Sequence, residues 1–311
     1  MSHQSASPVR SNRGSHGGRI AVIATHAFTQ LVRMKVFYFL AVFALIAIGS
    51  NFFDLPQHAG PEVAGISILR VIKSWSLGAM TLFSVVFAIV ATALLLPKDV
   101  EDRTLYTILA KPVPRIDYLA GKLIGVLLLV LVSLALMDLL MTLVLQVRTS
   151  MILSQQLEIA QARGWSVVEI GSLRAEILTH GPNWSLQGAV VAVFLLASIM
   201  ASLALFISTF SSSTLFTSIV GFLIYFIGYF QADARGIFLD AETGGQGLVT
   251  RTVALLVTLV LPDFQLFNVI DAVIQGQAMA LADLGMLTAS GLFYAVTYTT
   301  ASWFIFATKE F

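Results

Sequence analysis

Between Pro97 and Lys122 the chain reads PKDVEDRTLYTILAKPVPRIDYLAGK, a charged island between two long apolar runs. Asp99, Glu101 and Asp102 lead, Leu105, Ile108 and Leu109 follow at helical spacing, and Pro112 and Pro114 precede Arg115, Asp117, Tyr118 and Gly121-Lys122. A Lys, Arg or Asp at the centre of a bilayer costs roughly 2.5–3.5 kcal/mol, so this segment belongs at the membrane surface. The chemistry on offer is docking: an apolar ridge flanked by charges that set a register. The acids suit the start of a short helix beginning at Asp99, with Lys111 at its end, where each sign meets the favourable pole of the helix dipole. Pro112 and Pro114 stop that helix. Arg115, Asp117, Tyr118 and Lys122 then read as an interfacial belt at the entry to the next apolar run. The same residues also fit a plain amphipathic connector anchored at the headgroups.

Inside the apolar runs the candidates are fewer. Asp138 is an intramembrane carboxylate, which must pair, neutralise or face water and is a functional candidate for that reason. Gln146 lies two turns further along the same run. Tyr225 and Tyr229, and Tyr294 and Tyr298, are two pairs at one-turn spacing that can line a translocation path or pack. His3, His16, His26, His58 and His180 fall in tails and loops without ligand spacing, so no metal site is expected. No G-x-x-x-x-G-K-[ST] occurs; Gly121-Lys122 is followed by Leu123 and opens an apolar run, so no P-loop nucleotide site is expected here. No nucleophile–base set emerges, and no basic stripe for nucleic acid. With 0 Cys there is neither disulfide nor thiolate chemistry.

The elements that must position these residues follow from hydropathy. Of 311 residues, 57% are hydrophobic and 11% charged, against about a quarter charged in soluble domains; mean hydropathy is +0.87. This predicts an all-α integral membrane protein. About 20 apolar residues cross a bilayer, and six runs qualify: about 36–53, 75–96, 123–147, 186–208, 214–230 and 284–308. The run 252–261 is shorter and ends at Pro262; it reads as re-entrant, followed by a short helix over 268–282. Residues 19–35 form an amphipathic interfacial helix, with Ile20, Ile23, Ala24, Ala27, Phe28 and Leu31 on one face. Residues 1–18 are expected to be a disordered tail without a secretory signal. An external insertion, 148–185, reads as two short helices broken at Gly164. Small residues (Gly188, Ala197, Ser198, Ala201) suit close helix approach. With six spans and both ends inside, eleven of the 18 Lys and Arg residues fall on the cytoplasmic side and seven outside.

The pattern from Glu101-Asp102-Arg103-Thr104-Leu105 through Pro112, Arg115, Tyr118, Gly121 and Lys122 resembles the cytoplasmic loop of type 2 ABC transporter permeases, the six-span subunits of exporters. The interfacial helix, the short Phe210–Ser213 connector and the re-entrant segment before the last span agree with it. The run Leu261 to Asn268 (LPDFQLFN) is similar to that of branches near gliding-motility and copper-site maturation permeases. This resemblance covers most of the chain. It implies a transport subunit rather than an enzyme, in a bacterial inner membrane, as a homo- or heterodimer. It further implies a separate cytoplasmic P-loop ATPase that carries ATP and Mg and docks on Asp99, Glu101, Asp102, Leu105, Leu109 and Arg115. A membrane scaffold that docks a cytoplasmic protein, and a secondary transporter using Asp138 as proton relay, are the competing expectations.

Overall fold

A computed structural model describes residues 16–52, 64–101, 114–230 and 262–308. The tail 1–15, the run 252–261 and the coupling candidates Asp102, Leu105 and Leu109 lie outside the described residues. Every element within them is helical: α1 (His16–Val32), α2 (Lys35–Gly49) with a 3-10 turn (Ser50–Phe52), α3 (Ala64–Glu101), α4 (Arg115–Ala162), α5 (Val167–His180), α6 (Trp184–Phe210), α7 (Thr214–Tyr229), a second 3-10 turn (Phe264–Phe267), α8 (Ile270–Ile274) and α9 (Leu281–Thr308). Three stretches are long and apolar enough to cross a membrane: Gly65–Leu95 in α3, α4, and Val167–Phe210, which contains α6. α2, with 15 residues, and α7, with 16, are apolar but short. At 1.5 Å per residue each covers about 23 Å of a hydrocarbon core of about 30 Å. α9 has 28 residues, and its polarity is partly masked: Thr288, Thr297, Thr299, Thr300 and Ser302 each donate to the carbonyl four residues back.

The outward surface carries the apolar side chains that a water-soluble fold would hide. Leu136 and Leu139 on α4, Leu215 and Phe226 on α7, and Met286 and Phe293 on α9 are all exposed. With no water to satisfy, such a band belongs in lipid, and the fold is that of an all-α membrane protein. The interior is built on α6, the central helix, packed by α3, α4, α7 and α9. Its buried face is small: Ala189, Ala192, Ala197, Ala201 and Ala204 are fully enclosed, which lets neighbouring backbones close in. Larger rings fill the α2–α3 side, where Phe37 meets Phe87 at 5.4 Å and Phe83 stacks on Phe87 at 5.7 Å.

α4 is longer than expected. Between Gly125 and Gly164 it contains neither Gly nor Pro, so the span continues without a break into the insertion. At 48 residues it is about 72 Å long and projects well past one membrane face. The first of the two predicted insertion helices is therefore the end of α4. The break at Gly164 is where it was expected: Gly164 takes φ +70, and its N–H and that of Trp165 bond Gln161 and Ala160, a Schellman closure. Ser166 and Glu169 then form a reciprocal capping box that starts α5. The helix predicted over 268–282 is only Ile270–Ile274, because Gly276, at φ +83, turns the chain out.

The amphipathic helix starts at His16 and ends at Val32, shifted from the 19–35 expectation, so part of the predicted tail is helical. Its apolar face is covered by protein rather than left for lipid. Ala24, Ala27 and Leu31 are buried against the first turns of α4, where Gly121 and Gly125 stand one turn apart. A Cβ on Gly125 would lie 2.6 Å from the Ala27 Cβ and 2.8 Å from the Ala24 carbonyl; one on Gly121 would meet Ile23 at 2.7 Å. This Gly-x-x-x-Gly pair is what lets the helices touch. Gly125→Val is expected to loosen α1 by about 1–3 kcal/mol, speeding amide hydrogen exchange in α1 by roughly ten- to a hundredfold and leaving α6 unchanged.

Candidate functional site

α3 and α4 flank the charged island, and their facing ends are braced by buried charge. Asp99 lies in the last turn of α3, not at the start of a new helix, because α3 runs on to Glu101. A carboxylate there meets the negative end of the helix dipole and needs compensation. Lys122 Nζ lies 2.8 Å from Asp99 Oδ2, and Tyr118 Oη donates to the same oxygen at 2.5 Å. Tyr118 and Lys122 are one turn apart on α4, so a single face of that helix supplies both donors. Tyr118 and Lys122 are 1% and 4% exposed; neither they nor the buried Asp117 form the expected interfacial belt.

The same two turns of α4 hold two further helices. Arg115 Nη1 donates to the carbonyls of Phe306 and Ala307 at 2.7 and 2.8 Å, satisfying the open end of α9 as a cation should. Its guanidinium carbon stands 5.9 Å from the centre of the Phe306 ring, which stacks on Tyr118 at 6.1 Å. On the other side, Asp117 accepts from Arg19 Nε at 2.9 Å and pairs with His16 Nδ1 at 3.0 Å, both from α1. The buried Asp117 carboxylate is met by a guanidinium and an imidazole from one neighbouring helix. α4 thus ties α1, α3 and α9 together at one end of the bundle. Asp99 and Arg115 belong to this brace, and Glu101 closes α3. Lys122, Tyr118, Asp117, Arg19 and His16 join them without having been singled out as docking residues. The i, i+4 spacing of Tyr118 and Lys122 on α4 was visible; the partners of Asp117, 98 and 101 residues away on α1, were not.

The remaining candidates lie apart. Asp138 Oδ1 accepts from Gln187 Nε2 at 3.2 Å and from Thr142 at 3.5 Å, while Gln146 is exposed. Gln187 is in the first turn of α6, so Asp138 lies towards the opposite end of the bundle from the brace. Tyr225 packs with Phe264 and with Tyr229, and Tyr229 Oη accepts from Asn268. Tyr294 stacks on Tyr298, which meets Phe206 of α6. Among the described residues no ring contact joins the two tyrosine pairs, and neither pair meets Asp138. The described residues contain no group of three His, Cys, Asp or Glu placed to hold a metal. His16 and His26 are on α1 and His180 ends α5, buried, rather than lying in loops.

No protein-family model matches the chain, and no curated protein matches it.

Removing one member of a buried ion pair strands the other. Lys122→Met is expected to cost about 3–5 kcal/mol of stability, while Asp99→Leu with Lys122→Met recovers most of it, read as thermal unfolding midpoints in one detergent. Asp117→Ala strips Arg19 and His16 of their shared acceptor, so spin-label distances between α1 and α4 should lengthen and broaden in that variant.

Proposed function

We propose that this chain is the membrane-spanning permease subunit of an ATP-driven exporter of the type 2 ABC class, coupled through the 98–122 segment, where α3 ends and α4 begins, to a separate cytoplasmic ATPase. In this reading α2, α3, α4, α6, α7 and α9 are the six spans, the braced end faces the cytoplasm, and the long hairpin of α4 and α5 projects from the other face. Two such protomers, identical or related, stand side by side in a bacterial inner membrane. ATP and Mg belong to the ATPase; this chain contributes the mechanical path.

The observation that carries the reading is the brace. A loop that merely joins two helices needs no buried ion pair at its roots. A loop that receives force needs stems that cannot splay. Asp99, Tyr118 and Lys122 lock α3 to α4, Arg115 holds the end of α9, and Asp117 holds α1. A push on the loop is then shared by four helices rather than absorbed by one. Glu101, Asp102, Leu105 and Leu109 supply the docking ridge and its flanking charges, and Asp138 stands in the half of the bundle remote from it.

The test is a mild-detergent pull-down of the tagged chain from cells expressing the native operon, with mass spectrometry and an ATPase assay on the eluate. A stoichiometric P-loop ATPase is expected, reduced at least tenfold when Glu101 and Asp102 are both changed to Lys. A clean preparation with no ATPase would overturn the exporter reading and favour a scaffold.

A further inference from the structure

At the end remote from the brace, α5 folds back onto α3 and α4, and the described residues gather Arg70, Lys73 and His180, with Glu176 of α5 the acid near His180. Lys73, on α3, is 0% exposed, and its Nζ has neither hydrogen-bond nor ion-pair partner among the described residues. Arg70, one turn earlier on the same helix, is exposed, and its Nη2 is 3.4 Å from Nε2 of His180, the last residue of α5. Thr149 of α4 has a second buried, unpartnered polar atom, Oγ1. It lies beside Gly181, whose Cβ, if present, would stand 3.4 Å from it. Gly276 closes the far side of His180: a Cβ there would approach the imidazole Cε1 to 2.9 Å. Among the described residues no carboxylate is within ion-pair distance of Arg70 or Lys73.

A buried ammonium without a counter-charge costs several kcal/mol. Water can accept its hydrogen bonds but cannot cancel its charge. An oxyanion does both, and a guanidinium fork at the mouth matches the paired oxygens of phosphate. Depth in the membrane points the same way. Trp75, two residues beyond Lys73, and Trp184, four beyond His180, are each 61% exposed, as indoles are in the headgroup layer.

We propose that Arg70 and Lys73, with Thr149 and His180 beside them, form a binding site for a phosphate oxyanion, supplied by a lipid headgroup of the adjacent leaflet or by phosphate in solution. Arg70 makes first contact at the surface, and Lys73, one turn deeper, supplies the charge at the floor. The site stands on this geometry whether or not the chain is an exporter subunit.

The full chain, purified in maltoside micelles and phosphate-free buffer, is titrated with phosphatidylglycerol in one arm and inorganic phosphate in the other. Chloride at matched ionic strength is the control, and the thermal unfolding midpoint is the readout. Phosphatidylglycerol is expected to raise the midpoint by several degrees, as a ligand that binds only the folded state must. Arg70→Gln, a surface change that leaves folding intact, should raise the lipid concentration needed by about tenfold to a hundredfold, the range for a lost hydrogen bond to a charged group. Lys73→Met should abolish the response while leaving the ligand-free protein at least as stable, because it removes an unpaired buried charge at similar side-chain length. A shift with phosphatidylglycerol alone assigns the site to lipid; a shift with inorganic phosphate as well assigns it to the free oxyanion. No shift with either, an equal shift with chloride, or unaltered responses in both variants would overturn the proposal.

Discussion

The bundle depends on the pairing of Asp99 with Lys122 and Tyr118 at the meeting point of two long helices. α3 brings a carboxylate to its own C-terminus, where the dipole disfavours it, and α4 brings an ammonium into a place with almost no water. Neither is tenable alone. Together they form a short, shielded contact whose strength comes from low local polarity and whose cost is the desolvation of both partners. The phenol of Tyr118 takes up further acceptor capacity of the same oxygen. Because every group is spoken for, the ends of α3 and α4 have one arrangement rather than many.

From that pair the rest of the braced end follows outward along α4. Arg115 precedes it by one turn and reaches α9; Asp117 points the other way and reaches α1. Gly121 and Gly125 strip the α1-facing side of α4 of side chains, so the electrostatic contact at His16 and Arg19 continues as direct backbone packing. Attraction at the helix end and absence of bulk further along fix the same interface by two independent means. In lipid, where apolar surface has no reason to be hidden, such close packing and polar ties carry the association of helices.

The two ends of the molecule handle charge in opposite ways. At the braced end each buried charge has a counter-charge from another helix, so the polypeptide is complete in itself. At the hairpin end Lys73 has none among the described residues, and Arg70 is exposed. Between them the polar content is thin. Asp138 is satisfied by Gln187 and Thr142, and the tyrosine pairs pack locally against Phe264 and Phe206. A chain built this way is rigid where its own groups close the network and responsive where the closing group comes from outside.

Much of this was legible in the residues themselves, because local physics dictates it. Apolar runs longer than a bilayer dictate helices in lipid; Gly164 followed by the Ser166–Glu169 box dictates a stop and a restart; Ser213 dictates the start of α7. The apolar stripe of α1 was equally plain, as was the isolation of the charged island. What covers that stripe was not, since a membrane surface and the Gly121–Gly125 groove on α4 ask for the same side chains. The unbroken length of α4 was readable in the absence of Gly and Pro after Gly125 but obscured by the drop in hydropathy after Val147, which marks the membrane edge and not the helix end. Whether Asp99 opened a helix or closed one turned on the far partner Lys122, and the belt residues became a brace only when Phe306, Arg19 and His16 arrived from other parts of the chain. Spacing along one helix announces that a face exists; only the packing of several helices decides what that face meets, because a buried charge takes its meaning from a neighbour that sequence order does not name.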